Sequence, residues 1–444
     1  MAFFHLVSLG CAKNLVDSEV ILGSMAAGGW QLTDDPDHAE LLIVNTCGFI
    51  QPAVEEAIAE IFELVRLKEQ SPDKKIVVVG CLVQRYQEQL AEDLPEVDLF
   101  VGTEGAADIA GYIDQVVQGK MAKRVVLPQR TLMTSSTARI ISTPFFRAWL
   151  KITEGCDNRC SYCMIPSIRG PLRSRTIDDL TREAQRLQDL GVQELTLIAQ
   201  DSTAYGNDLS KNQNLVSLLQ KLLQQTSIPW LRLLYLYPAG IDDELLQLMA
   251  DNPRIVPYLD MPLQHISDSV LHSMNRRYGS EQIYTTVDKI RTMLPDIALR
   301  TTFLVGFPGE TEDDFLQLEK FLRKTRIDHV GIFAYANEEG CPSENFVDQV
   351  AEEVKQQRRD YLLALQAELS ADIQKKYLGR IEPVLLEGLS RETDLLLEGR
   401  TRYQAPDVDG CVYINDGAAR PGDIVQVRIT ETQVYDLVGE IIET

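Results

Sequence analysis

Basic charge and histidine are both scarce in this chain. Against 66 Asp and Glu stand only 43 Lys and Arg, a formal net charge of −23, and 444 residues include five His. Nucleic-acid affinity rests largely on Lys and Arg, so this balance disfavours a partner gripped mainly through its phosphates. It suits a basic protein partner, or solubility alone. No run approaches the ~18 unbroken apolar residues needed to span a bilayer, and no membrane partner is expected. The apolar start Phe3-Phe4-His5-Leu6-Val7 is too short for a signal peptide and has no basic leader, so the expected location is cytoplasmic. Low-complexity segments and 20–50-residue repeats are lacking too. What remains is an ordinary globular composition, 45% hydrophobic and 25% charged, long enough for two or three domains.

One further absence is the most informative. Cys156, Cys160 and Cys163 lie in the run Glu154-Gly155-Cys156-Asp157-Asn158-Arg159-Cys160-Ser161-Tyr162-Cys163, and no Cys or His close in sequence supplies a fourth ligand. In a reducing compartment clustered cysteines read as metal ligands rather than disulfides. Structural zinc wants four closed ligands. Three thiolates at Cys-x3-Cys-x2-Cys spacing can instead wrap one face of a cubane iron–sulfur cluster, leaving one iron open. Electron-transfer clusters usually close all four positions with Cys, so an open iron points to chemistry. A zinc site and three unrelated thiols are the alternatives.

The chain alternates β and α patterns over most of its length, an α/β architecture. Residues 1–127 read as a small parallel α/β domain with strands at 4–9, 41–45, 76–79 and 99–101 and a helix at 54–69. The first three strands run into Cys11, Cys47 and Cys81. Ligands of open parallel sheets gather at the carboxyl ends of strands, so these cysteines, though far apart in sequence, are expected to converge. Buried small hydrophobes are the bland reading of each. A polar, Ser/Thr-rich linker follows at 128–143. Residues 142–376 show six βα units, with strands at 148–153, 194–199, 231–237, 259–263, 299–304 and 330–334. That predicts a partial (βα)6 barrel with the cysteine triplet at its carboxyl end, where barrel active sites are built. A long helix at 351–377 then gives way to short alternating segments with Asp-Gly and Pro-Gly turns, a small all-β barrel at 377–444.

The triplet with Tyr162 before its last cysteine resembles the signature of the radical S-adenosylmethionine (SAM) superfamily. That resemblance implies a 4Fe–4S cluster whose open iron chelates SAM and cleaves it to a 5′-deoxyadenosyl radical. Gln200-Asp201 is similar to the superfamily's segment that holds the SAM amino group. The turn Val305-Gly306-Phe307-Pro308-Gly309-Glu310 sits where a glycine-rich turn lets backbone approach a ligand, although it would equally just end a strand. Gly306 and Gly309, with Tyr162, Gln200 and Asp201, are the candidate cofactor contacts. The contexts Leu9-Gly10-Cys11-Ala12-Lys13-Asn14, Asn45-Thr46-Cys47-Gly48-Phe49 and Gly80-Cys81 resemble the methylthiotransferase family over nearly the whole chain, including a C-terminal domain of the TRAM type. This implies a second 4Fe–4S cluster on Cys11, Cys47 and Cys81 that delivers sulfur.

That family divides between enzymes acting on an adenosine of transfer RNA and one acting on an aspartate of small-subunit ribosomal protein S-twelve. Residues 377–444 carry six Arg and no Lys against thirteen Asp and Glu, a surface that repels a phosphate backbone and attracts a basic ribosomal protein. Tyr235-Leu236-Tyr237-Pro238, Ala199-Gln200-Asp201-Ser202-Thr203 and Tyr335-Ala336-Asn337-Glu338-Glu339-Gly340 also resemble the ribosomal-protein branch. The resemblance thus implies methylthiolation of the aspartate β-carbon with two SAM, and a reductant protein as further partner. No base of ordinary pKa removes that unactivated hydrogen as a proton, which is why a radical is needed. Transfer-RNA modification is the runner-up, and a non-enzymatic iron–sulfur carrier the second. Domain order suggests that the C-terminal domain helps cover the site. Cys341 and Cys411 read as structural thiols. His265 either faces the site or is packed, and Arg169, Arg173 and Arg175 either clamp a carboxylate or form a solvated loop.

Overall fold

The structure, a computed structural model, describes residues 2–210 and 213–442. Its first sheet has six parallel strands in the spatial order Gln31–Leu32, Phe3–Ser8, Leu41–Thr46, Lys75–Gly80, Leu99–Val101, Val125–Val126. The central strands Leu41–Thr46 and Lys75–Gly80 are apolar runs buried almost throughout, as a sheet covered on both faces requires. One face packs on Val54, Ile61 and Leu64 of the helix Gln51–Gln70, the other on Val20, Ile21 and Met25 of the helix Ala12–Ala27. The two-residue edge strands are too short to leave a period in the sequence.

The second sheet runs in chain order through Arg147–Lys151, Glu194–Ile198, Trp230–Leu233, Ile255–Asp260, Ala298–Val305 and His329–Ala334, all parallel. Its first and last strands do not pair, so this is a six-stranded partial barrel. Leu150, Leu197, Leu233 and Leu259 pack outward on the surrounding helices. A short antiparallel ribbon, Thr153–Glu154 with Arg173–Ser174, closes the base of the loop that carries the cysteine triplet. The expected linker 128–143 has no helix or strand, yet it is pinned. Arg139 donates to Glu19 on one side (2.6 Å) and Glu183 on the other (2.5 Å), and Ser135 N donates to Asp179. The helix Glu352–Gln374 leads to a closed five-stranded barrel ordered Ile381–Leu389, Leu397–Thr401, Val412–Asp416, Leu437–Ile441, Ile424–Thr432. No helix among the described residues is long and apolar enough to cross a membrane.

The C-terminal barrel corrects one expectation: it does not cover the cysteines. It packs against the start of the central strands, with Trp149, Trp230 and Tyr258 sharing a core with Val384, Leu386, Val412 and Val427. Arg147 pairs with Asp407, Tyr258 donates to Asp409, and the ring of His329 bonds Tyr403 O. Domain order does not reveal which end of the barrel a following domain will meet.

The centre of that junction is Glu194, fully buried, accepting from Arg232 Nε at 2.5 Å and Arg400 Nη2 at 2.6 Å. Burial opposes its ionisation, but the two guanidinium groups hold its carboxyl at about 2, below the usual 4.5. Glu194→Gln should cost about 3–5 kcal/mol, because buried Arg232 loses its counter-ion and Arg400 keeps only Glu387. A depressed carboxyl stabilises above its unfolded pKa and ceases to as pH falls. The gap between wild type and variant in urea midpoint should therefore be widest above pH 4.5 and close toward pH 2. A gap that is small or independent of pH contradicts this.

Candidate functional site

A cavity of about 360 Å³ opens where the carboxyl ends of the first and second sheets face one another, and all six cysteines of the two sets line it. On the first sheet Cys47 and Cys81 directly follow strands, and Cys11 precedes the helix Ala12–Ala27. Gly10, at φ +90°, allows their convergence: a Cβ there would lie 2.8 Å from Cys47 Cβ. Asn14 Nδ2 donates to Leu9 O (2.5 Å), while Asn45 Nδ2 donates to Asn14 O (2.9 Å) and Ser18 Oγ (2.8 Å). This buried polar knot fixes the Cys11 turn against the neighbouring strand.

Cys156, Cys160 and Cys163 face the same void from the second sheet. Their loop is anchored by Cys156 N to Gly170 O (3.0 Å) and Ser161 N to Met274 O (3.1 Å). Asp201 reaches it as well: one carboxylate oxygen accepts from Thr203 N and Oγ1, the other from Asn158 Nδ2 at 2.7 Å. Arg276 is fixed by Tyr278 OH and Pro262 O, both 2.6 Å, stacks over Tyr237, and points Nη1 at Cys160 Sγ, 3.5 Å away. Tyr235 (φ +61°) and Gln264 (φ +69°) also line the void. Left-handed backbone at non-glycine residues is strained, and here flanking hydrogen bonds impose it. Tyr235 N donates to Asp260, and Gln264 N donates to Thr302 O.

The thiols fit a polynuclear cluster. Three thiols from each sheet surround one open space, room for more than a single ion. Burial pushes the thiols of Cys81 and Cys156 up to about 11 and that of Cys163 to about 12, and raises that of Cys47. Such thiols stay protonated unless positive charge arrives, as a bound cluster provides. Burial also pushes Cys11 upward, but Lys13 and Arg169 more than offset it and hold this thiol below its ordinary value.

The two halves of the cavity are locked by charge. Arg169, buried in the triplet loop, donates to Asp17 (2.8 Å) and Glu154 (3.2 Å) and approaches Cys81 Sγ at 3.4 Å. Lys151 bridges the same carboxylates. Arg85, from the first domain, pairs with Glu338 (3.2 Å), whose other oxygen accepts from Gln51 N. Arg173 and Arg175 pair with Glu104, Asp179 and Glu183. None of these three arginines awaits a substrate or forms a solvated loop: Arg169 and Arg173 tie the triplet loop to the first domain, and Arg175 ties it to the helix Ile177–Asp189.

Tyr162, Gln200 and Asp201 line the cavity; Gly306 and Gly309 do not. At Gly306 a Cβ would strike Lys355, and Glu310 accepts from the backbone N–H of Gly306 and Phe307, so the turn is closed on itself. His265 is fully buried, accepts from Ser267 N, and is pushed down to about 3 by burial, a packed neutral imidazole. Cys341 packs beside Cys81 and Met164 outside the cavity, and Cys411 is distant in the C-terminal barrel. Sequence reasoning did not single out Lys13, Asn14 or Arg276 as site residues. Position after Cys11 was the available signal for the first two; Arg276 follows a short helix and left none.

Three stretches match known families: residues 4–102 the uncharacterized protein family UPF0004, 150–322 the radical SAM superfamily, and 378–442 the TRAM domain. The chain is 63% identical over 439 residues to the ribosomal protein uS12 methylthiotransferase RimO of Desulfotalea psychrophila, covering 99% of both. Identity to the protein of that name in Citrifermentans bemidjiense is 47%, over 99% of this chain and 98% of the relative. Among solved structures, the radical SAM methyltransferase TsrM of Kitasatospora setae shares the fold. Its TM-score is 0.58 at 16% identity, over 75% of this chain and 73% of that one.

Arg169→Met should leave Asp17 and Glu154 with only Lys151 between them and cost about 3–5 kcal/mol in chemical denaturation. Reconstituted protein should also hold less iron than wild type, because Arg169 stands against the Cys81 sulfur. Full iron content with a loss below about 1 kcal/mol contradicts the lock.

Proposed function

The chain belongs to the ribosomal protein uS12 methylthiotransferase family, and from that premise we propose which of its residues carry the reaction. Its activity is methylthiolation of a uS12 aspartate by radical SAM chemistry. In our reading Cys156, Cys160 and Cys163 hold the 4Fe–4S cluster that binds SAM, and Cys11, Cys47 and Cys81 hold the one that presents sulfur. The observation carrying this division is that both cysteine sets line one cavity, each with three thiols and no fourth.

When bound, the two clusters and SAM supply one-electron cleavage of SAM, a hydrogen-abstracting species and the sulfur to be transferred. The protein positions and protects. Arg276, held on Tyr237 and Tyr278, sets a guanidinium 3.5 Å from Cys160 Sγ, where it can donate to that sulfur as a ligand. Asp201 orients Asn158 next to Cys156, and with Gln200 offers acceptors to the SAM amino group. Tyr162, packed edge-on against Phe307, and Phe49 give the cavity apolar walls that keep water from a reactive species. Because the C-terminal barrel sits at the other end of the central sheet, the bound substrate itself must complete the enclosure.

The acidic surface of residues 377–444 favours a basic protein such as uS12 over RNA. A one-electron reductant protein is the second partner this chemistry requires, and the cytoplasm the compartment that offers both.

Anaerobic incubation of reconstituted enzyme with SAM, reductant and either uS12 or transfer RNA tests the reading. The expected product is uS12 heavier by one methylthio group. The same mass gain on transfer RNA alone would overturn the substrate. Cys160→Ala should abolish SAM cleavage, whereas Cys47→Ala should keep cleavage and stop sulfur insertion. Equal loss of cleavage in both variants contradicts the division of labour.

A further inference from the structure

Three cationic side chains line the cavity: Lys13, Arg169 and Arg276. Arg169 is neutralised by Asp17 and Glu154, and Arg276 is committed to Tyr278, Pro262 O and the Cys160 sulfur. Lys13 differs. It is 6% exposed, and among the described residues it pairs with no carboxylate. Its Nζ donates to Ala199 O at 3.2 Å and lies 3.4 Å from the centre of the Tyr235 ring. An ammonium carries three donors, and a desolvated one without a counter-ion is costly. Apart from the nearby Cys11 thiol, whose pKa it lowers, Lys13 thus has no anion beside it, and unlike Arg276 it keeps donors unused.

Its position gives that charge a use. Lys13 stands two residues after Cys11, in the first turn of the helix Ala12–Ala27, and reaches across to Ala199, the neighbour of Gln200. It thus bridges the sulfur-presenting side of the cavity and the SAM side. The reacting carbon must lie between these sides, and in an aspartate the carboxylate is one bond from that carbon. We propose that Lys13 binds the carboxylate of the target aspartate, making this cavity selective for a carboxylate-bearing side chain. The bond is a charge-assisted N–H···O contact, with the Tyr235 ring as the floor on which the ammonium rests. The proposal rests on the uS12 reading given above. Serving the Cys11 sulfur instead is the competing role for the same charge.

The experiment compares full-length, anaerobically reconstituted wild type, Lys13→Gln and Lys13→Arg on two substrates: uS12, and uS12 with Asn in place of the target aspartate. The readout is kcat/KM for methylthio transfer by mass spectrometry, with iron and sulfide content measured on each preparation. Wild type should prefer the aspartate protein by about 100-fold, since a buried charge left unpaired by Asn penalises that substrate. In Lys13→Gln the preference should collapse to about threefold or less, mainly through loss on aspartate, and Lys13→Arg should restore most of it. Undiminished preference in Lys13→Gln overturns the proposal. So does equal loss on both substrates together with lowered iron, which would assign Lys13 to the sulfur ligands. Wild type that cleaves SAM but modifies neither protein would instead overturn the substrate reading on which the proposal stands.

Discussion

Two separate sheets must hold six thiols around one void, and a single buried guanidinium carries much of that constraint. Arg169 leaves the triplet loop, crosses to Asp17 of the first domain and ends beside Cys81, with Glu154 at its back. Replacing a buried ion network by apolar residues often leaves stability unchanged, so stability alone does not account for charge here. Position does. The same group that ties the sheets together places positive charge against a sulfur whose thiol burial pushes up, offsetting part of that burial. Structural lock and ligand electrostatics are one interaction. Arg85 with Glu338, and Arg139 with Glu19 and Glu183, repeat the cross-domain tie on either side.

The lock explains how the fold is partitioned. Parallel sheets collect ligands at the carboxyl ends of their strands, and here two such ends are turned toward each other. Reactive groups from both sheets then share one enclosure without a moving arm. The amino ends of the central strands are left free, and there the C-terminal barrel docks through Glu194, Arg232 and Arg400. The cavity and the C-terminal barrel occupy opposite ends of one sheet.

Much of this was legible in the sequence, for definite reasons. The triplet spacing is local, so Cys156, Cys160 and Cys163 announced themselves. Cys11, Cys47 and Cys81 were readable because each follows an apolar run, and strand ends in a parallel sheet are predictable in space. Six βα units gave the partial barrel. Contacts between elements far apart in sequence left no trace. Nothing local shows that Arg169 meets Asp17, that Arg276 reaches Cys160, or that the C-terminal barrel meets strand beginnings rather than ends. Gly306 and Gly309 illustrate the opposite case: a glycine turn after a strand looks like a ligand cradle, but Lys355 packs on Gly306, Glu310 takes up its N–H, and neither glycine lines the cavity.

The central claim is that both cysteine sets open into one cavity, and its most direct test is magnetic. In the reduced, fully reconstituted enzyme two paramagnetic clusters that share a void interact through space. The electron paramagnetic resonance spectrum should then be broadened or split relative to the sum of the spectra of Cys47→Ala and Cys160→Ala proteins. A spectrum equal to that sum would place the clusters too far apart to share a cavity and would contradict the account.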